Sequence, residues 1–165
     1  MADLQVGAGG LELTSPIMAA AGPLTESGEG MVACAVNGAA AVVACTVSVE
    51  PPPATPAPRL CEVPGRRGSL LNVERWSPRS VEQWIERDYP QAKATGAPLI
   101  VSIGYTADHV RRLAPLVRPF AHAVELSTQF LADDVHLIAD AVAAARSALT
   151  VPVWVKLTAL GRDVV

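Results

Sequence analysis

Five apolar stretches of this sequence each end in residues that are suited by polarity or small size to bind a ligand. These residues are Gly22 and Thr25, Thr46 and Ser48, Ser102 and Tyr105, Glu125 and Ser127, and Lys156 and Thr158. Polar residues at the carboxyl ends of parallel strands are where such folds carry out their chemistry. A buried carboxylate needs a partner, and we expect the ammonium group of Lys156 to pair with Glu125 on the neighbouring strand.

The cysteines and histidines do not form a recognisable catalytic or metal-binding pattern. The three cysteines lie far apart, without CxxC spacing and without a histidine at a metal-ligand offset. Cys34 and Cys45 lie in apolar surroundings, which predicts that they are small buried hydrophobic residues. His109 and His136 fall in predicted helices, where we expect them to be exposed, and His122 begins a predicted strand. None has an evident serine or cysteine partner, so we predict no metal site and no nucleophilic triad.

Composition indicates one folded domain over residues 1–165. Half of the residues are apolar and 18% are charged, which is enough to build a core. The net charge is only -3 and the basic residues are scattered, so the sequence does not favour nucleic acid as a partner. The first residues lack the pattern of a signal peptide, and no run is long enough to span a membrane. We therefore predict a cytoplasmic protein that binds neither nucleic acid nor membrane.

Apolar runs alternate with helix-patterned segments along the chain. The predicted strands are 16–22, 40–49, 97–105, 122–130 and 150–159, and the predicted helices are 26–39, 80–96, 106–121 and 133–149. Ser80 and Thr106 are predicted helix N-caps. A small hairpin is predicted over residues 4–16, around Gly9 and Gly10.

This alternation predicts an α/β fold with a parallel sheet. An open doubly wound sheet and a (β/α)8 barrel of the TIM type are the two candidates. The sequence has no GxGxxG or GxxxxGK[ST] motif, and polar residues follow the strands, so we favour the barrel. Five strands and four helices make an incomplete barrel whose outer strands would expose long edges. We therefore expect the chain to be a fragment, or to be completed by self-association or by a partner chain.

Six segments match a known family in order and separation. They are SPIMAAAG, AAVVACTVSVEPPPATPAPRL, GSLLNVERWSPRSVEQWI, PLIVSIGY, AVELS and VPVWVKLT. Together they resemble the N-terminal part of the class 1 dihydroorotate dehydrogenase group of FMN-binding barrels, which includes the related barrel domain of dihydropyrimidine dehydrogenases. The family uses its proline-containing loop, here residues 50–58, to help frame the pocket.

The resemblance implies FMN as cofactor and a small planar ring, such as a dihydropyrimidine, as substrate. Residues that match the family's cofactor contacts are Ala20, Ala21, Gly22, Thr46, Ser127 and Lys156. Asn72 matches an asparagine that hydrogen-bonds the pyrimidine, and Lys156 matches a lysine whose charge stabilises the reduced flavin. This interpretation requires the amide of Asn72 and the ammonium group of Lys156 to converge on one mouth at the carboxyl ends of the strands.

Several positions depart from the family pattern. Cys45 replaces a lysine, Arg75 replaces a glycine and Ser127 replaces an asparagine. The segment TQFLADD stands where the family has S/C-P-N, which leads toward its catalytic base, and no residue here matches that base.

Two functions follow from these matches and departures. The first is an FMN-dependent oxidoreductase of pyrimidine metabolism, acting on a CH–CH bond. The alternative is a degenerate, non-catalytic barrel segment that serves as a partner or regulatory subunit. In the family, residues of later strands bind the FMN phosphate. We therefore expect this chain alone not to bind FMN tightly.

Overall fold

The structure is a computed structural model, and it describes residues 4–50, 52–53, 57–131 and 134–157. Its strands are β1 (Val6–Ala8), β2 (Leu11–Leu13), β3 (Val42–Val43), β4 (Leu60–Glu62), β5 (Leu70–Asn72), β6 (Leu99–Ile103), β7 (Ala123–Ser127) and β8 (Val153–Lys156). Its helices are α1 (Gly28–Val36), α2 (Val81–Gln83), α3 (Tyr89–Lys93), α4 (Ala107–Val117) and α5 (Val135–Ala148). A 3-10 turn spans Pro23–Thr25, and a π-helical turn, Trp84–Asp88, joins α2 to α3.

The central sheet is parallel, with the strand order β3-β6-β7-β8. The predicted strand 16–22 adds to its edge through a single parallel bridge between Ala19 and Val42. There the Ala19 N–H donates to the Ala41 carbonyl at 3.0 Å, and the Val43 N–H donates to the Ala19 carbonyl at 2.8 Å. The five predicted strands therefore lie side by side in chain order, as successive βαβ units require.

The helix starts follow the capping residues in the sequence. Ser80 accepts a hydrogen bond from the Gln83 N–H, Thr106 accepts one from the His109 N–H, and Asp134 caps α5. The predicted caps at Ser80 and Thr106 are therefore confirmed. No helix in the described part of the chain combines the length and the apolar composition needed to cross a membrane.

Toward the amino ends of its strands, the sheet is apolar on both faces. Val42, Val101 and Val124 pack against the helices, whereas Val43 and Ile100 face the opposite side, which hairpin β1–β2 covers. This double burial explains why the strand sequences are nearly continuous in hydrophobicity.

Toward the carboxyl ends of the strands, the side opposite the helices becomes polar. The residues that share this side with Ile100 at the two-residue strand period are Ser102, Glu125, Ser127 and Lys156. The same alternation that builds the core therefore gathers polar groups at one end of the sheet.

A second hairpin, β4–β5, lies between the proline-rich loop and the predicted helix 80–96, where no element was predicted. Leu60 pairs with Asn72 and Glu62 pairs with Leu70, and the turn between them contains Gly65 and Gly68 in left-handed conformations. Most of its apolar side chains are exposed, so it has no amphipathic pattern that could have predicted it. Residues 51 and 54–56 of the preceding proline-rich loop lie outside the described residues.

The segment that returns from this hairpin is anchored by a fully buried carboxylate. Asp88 accepts a hydrogen bond from the Gly28 N–H at 2.7 Å, and both its oxygens accept from Arg79 Nη1, at 3.2 and 3.1 Å. Nearby, the Ser77 N–H donates to the Thr46 carbonyl at 2.7 Å, and Trp84 Nε1 donates to Ser77 Oγ at 2.9 Å. These bonds tie the return segment to the end of β3 and to the start of α1.

We predict that Asp88→Ala lowers the free energy of unfolding by about 3 kcal/mol, because it leaves a buried N–H and a guanidinium without their acceptor. Asp88→Asn should lose less, since its amide oxygen still accepts from Gly28. Urea denaturation followed by circular dichroism measures both. Glu86→Ala, an exposed change in the same helical turn, is the matched control, and an equal loss for Glu86→Ala and Asp88→Ala would contradict the prediction.

Candidate functional site

A cavity of about 570 Å³ opens at the carboxyl ends of the strands. The 3-10 turn and β8 form one side of it, and hairpin β4–β5 forms the other. Four of the seven residues singled out from the sequence line it, namely Ala21, Gly22, Asn72 and Lys156. The structure thus brings the Asn72 amide and the Lys156 ammonium to the same mouth, although they are far apart in sequence.

The other three predicted residues do not line this cavity. Ala20 lines a separate cavity of about 330 Å³ that also contacts Glu125 and Trp154. Thr46 is buried, with its Oγ1 2.8 Å from Ser102 Oγ. Ser127 is also buried. Thr158, another predicted strand-end residue, lies outside the described residues.

Gly22 presents an open surface to the cavity. A Cβ built on Gly22 would meet no atom within 4 Å, and its backbone is extended, at φ 164°. Neither the packing of the described chain nor the backbone conformation therefore requires glycine here. A residue without a side chain lets a ligand approach the backbone closely, and this is a physical reason for glycine at position 22.

Asn72 is exposed at the end of β5. Its Oδ1 accepts a hydrogen bond from the Glu74 N–H at 3.2 Å, which fixes the side chain. Within the described part of the chain its NH2 group donates no hydrogen bond, so two donors remain for a ligand.

Lys156 is held by Glu125. Its Nζ donates to Glu125 Oε1 at 2.8 Å, and the two side chains are 41% and 12% exposed. The pairing predicted from the sequence is confirmed. The carboxylate compensates the ammonium charge and keeps it near the cavity wall.

Sequence reasoning missed the charged residues Arg59 and Glu74, which also line the cavity. Arg59 Nη1 lies 3.7 Å from Glu74 Oε2 and 4.0 Å from Glu26 Oε2. Such partly exposed pairs contribute little to stability individually, but they orient the guanidinium. The arginine that closes the PAPRL segment was a visible signal, although nothing in the local sequence indicated its partners.

Three aromatic rings, none of which lines the cavity, pack against one another. Trp76 lies 5.5 Å from Tyr105 and 5.1 Å from Phe130, and Tyr105 lies 4.9 Å from Phe130, measured between ring centroids. Burial raises the pKa of Tyr105, so its hydroxyl stays protonated. Trp76 follows Arg75, and Phe130 lies in the segment TQFLADD. Both segments depart from the family pattern, and the ring contact brings them together in space.

The expectation for His109 was wrong. It was expected to be exposed and without a serine partner, but it is half-buried and its Nδ1 lies 3.4 Å from Ser48 Oγ. The same hydroxyl donates to the Gly104 carbonyl at 3.3 Å. A hydroxyl has one hydrogen, and Ser48 donates it to the Gly104 carbonyl. His109 therefore does not accept this proton and does not activate Ser48.

The thiol of Cys45, which stands where the family has a lysine, is buried. Cys45 is 6% exposed, and burial raises its pKa to about 11, with a further rise from the Glu26 carboxylate. The thiol is therefore neutral at physiological pH. It supplies neither the positive charge of a lysine nor a reactive thiolate.

The chain is similar to three curated proteins, each named dihydroorotate dehydrogenase B (NAD(+)), catalytic subunit. The protein from Thermoplasma acidophilum is 30% identical over an aligned length of 176 residues, and the alignment covers 100% of this chain and 57% of that protein. The protein from Methanocella arvoryzae is 31% identical over 161 residues, covering 92% and 52%. The protein from Thermoplasma volcanium is 28% identical, covering 96% and 55%. The chain spans about half the length of the curated relatives it matches.

A solved structure has the same fold. A crystal structure of DHODH in complex with ferulenol, from Eimeria tenella, matches with a TM-score of 0.68 at 18% identity, over 88% of this chain and 43% of that one. The predicted barrel-type α/β fold is thereby confirmed. No family model matches the sequence.

We predict that Cys45 makes the protein less stable in alkali. The thiol is half ionised near pH 9 in the unfolded chain but only near pH 11 in the folded chain, so rising pH favours unfolding in this interval. Between pH 8 and 10.5 the wild type should lose about 2 kcal/mol more than Cys45→Ala, measured by urea denaturation. The exposed Cys61 provides the control, since Cys61→Ala should retain the wild-type pH dependence. Equal pH dependence in wild type and Cys45→Ala would refute the prediction.

Proposed function

We propose that this chain, which is similar to three dihydroorotate dehydrogenase B catalytic subunits, forms one side of the active site of an FMN-dependent oxidoreductase. The observation that carries the proposal is the single cavity shared by Gly22, Asn72 and Lys156. Its volume of about 570 Å³ is in the range of sites that enclose small molecules and cofactors.

The residues on the β8 side of the cavity fit a flavin. Ala21 and Gly22 offer a small-residue surface, and the open space at Gly22 lets a flat ring approach the backbone. FMN would supply the acceptor for a hydride. Lys156 would stabilise negative charge that develops on a reduced ring, and Glu125 would keep the ammonium group in position.

Hairpin β4–β5 would hold the substrate. The NH2 group of Asn72, which donates no hydrogen bond within the described residues, can donate to the carbonyl or ring nitrogen of a planar heterocycle such as a dihydropyrimidine. Its carbonyl is already engaged by the Glu74 N–H, so the amide is oriented before a ligand arrives. No residue of this chain is assigned as the catalytic base.

A non-catalytic partner subunit is the second candidate. It is favoured by Cys45, whose burial and raised pKa exclude the charge of the family's lysine. The segment that leads toward the catalytic base in the family also favours a partner subunit. Here its Phe130 packs against Trp76 and Tyr105, and no residue matches the base.

Further strands would complete the barrel in either case. Within the described residues, β8 pairs only with β7, and the segment around Ala19 pairs only with β3. Such edges expose unpaired backbone groups that favour association with another chain. We propose that a second copy or a partner chain pairs with these edges.

We predict weak, specific binding of FMN by this chain, because the resemblance assigns the contacts to the FMN phosphate to later strands of the family's barrel. In a fluorescence titration FMN should bind reversibly and be lost on desalting, and Lys156→Gln should weaken binding about tenfold by removing one cation. Lys93→Gln is the matched control, since Lys93 is the other lysine of the chain and donates to the Pro119 carbonyl away from the cavity.

Two results would count against the flavin site. The first is no FMN binding by a chain that circular dichroism shows to be folded, which would favour the partner-subunit function. The second is an equal effect of Lys156→Gln and Lys93→Gln. Flavin retained in stoichiometric amount after desalting would show that the contacts in this chain suffice for tight binding.

We also predict that the chain self-associates through the edge around Ala19. Light scattering over a concentration series should show species larger than a monomer, and Ile17→Glu should reduce them because it places charge beside this edge. Val36→Glu is the control, because Val36 is equally exposed (72% against 67% for Ile17) but lies on α1. A monomer at all concentrations would contradict self-association.

A further inference from the structure

Another cavity, of about 580 Å³, lies between Ser48 and Val49, the start of α2, and α4. It shares no lining residue with the cavity at the carboxyl ends of the strands. All of its lining residues fall between positions 48 and 116, so it is built entirely within this chain.

The floor of this cavity is apolar. Val81 and Leu113 are buried, whereas Leu116 is 44% exposed and Val49 is half-buried at the strand end. A ligand with a hydrocarbon or aromatic body would bury Leu116 and displace water from this surface.

The rim offers hydrogen-bond donors. Arg112 lines the cavity, and within the described part of the chain its guanidinium makes no hydrogen bond and no ion pair. The Gln83 side-chain oxygen accepts from the Ser80 N–H at 3.1 Å, which leaves its NH2 group as a donor. Arg79 also lines the cavity, but its Nη1 is engaged by Asp88.

The carboxylate at the rim does not balance Arg112. Glu82 is exposed and also lines the cavity, and hydrogen bonding to backbone and to Ser80 lowers its pKa. Among the described residues it forms no ion pair with Arg112. An uncompensated guanidinium above an apolar floor is complementary to an anion with an apolar body.

We propose that this cavity binds a small carboxylate with an apolar body, separately from the flavin site. The carboxylate accepts hydrogen bonds from Arg112 and Gln83, and the apolar part packs on Val81, Leu113 and Leu116. Because a planar guanidinium matches a carboxylate in geometry, Arg112 provides most of the discrimination against uncharged ligands.

Octanoate and octanamide test this proposal, because they have the same apolar chain and differ in charge. Isothermal titration calorimetry of the full chain should give an affinity for octanoate at least about tenfold higher than for octanamide. Arg112→Gln should remove this difference. Arg111→Gln is the matched control, since Arg111 is adjacent on α4, exposed, and not part of the cavity lining. Leu116→Asp should abolish octanoate binding by placing a like charge on the floor.

The same measurements can overturn the proposal. Equal affinities for octanoate and octanamide, an equal loss in Arg111→Gln and Arg112→Gln, or no saturable binding by a folded chain would each refute it. Loss of octanoate binding in Lys156→Gln but not in Arg112→Gln would place the carboxylate in the other cavity and refute it as well. None of these outcomes depends on whether FMN binds.

Discussion

The buried carboxylate of Asp88 joins three parts of the chain. It accepts from the backbone at the start of α1 and from Arg79, and it belongs to the π-helical turn between α2 and α3. A buried anion is tolerated only when its oxygens are satisfied, so the position of each donor is tightly constrained. Through Arg79, the constraint reaches the segment that returns from hairpin β4–β5, and so the wall of the site cavity.

The position of that segment explains how Asn72 comes to face Lys156. The hairpin is a two-stranded element with exposed apolar side chains, and such elements are marginal alone. The segment that follows the hairpin is fixed by two hydrogen bonds. The Ser77 N–H donates to the Thr46 carbonyl, and Trp76 Nε1 donates to the Glu50 carbonyl. The strand-end wall of the cavity belongs to the core, whereas the opposite wall depends on these few polar and aromatic contacts.

Charge is distributed differently in the two large cavities. At the carboxyl ends of the strands, Lys156 is paired with Glu125 and Arg59 lies near two carboxylates, so both cations are compensated. In the cavity beside α4, Arg112 has no such partner among the described residues. The residues from Glu74 to Arg79 contact both cavities, Glu74 lining the first and Arg79 the second. One short segment therefore separates two sites of different electrostatic character.

The sequence by itself determined the order of the strands, the caps at Ser80 and Thr106, and the pairing of Glu125 with Lys156. These features depend on local periodicity, on capping chemistry, and on the fact that consecutive parallel strands lie side by side. It also indicated the family, since the motifs keep their order. Only the tertiary structure decided that hairpin β4–β5 faces the strand ends, that Ala20, Thr46 and Ser127 stay out of the site cavity, and that Ser48 contacts His109. Cavities and cross-chain contacts join residues tens of positions apart, and their geometry is set by the packing of whole elements, which no local pattern of residue types encodes.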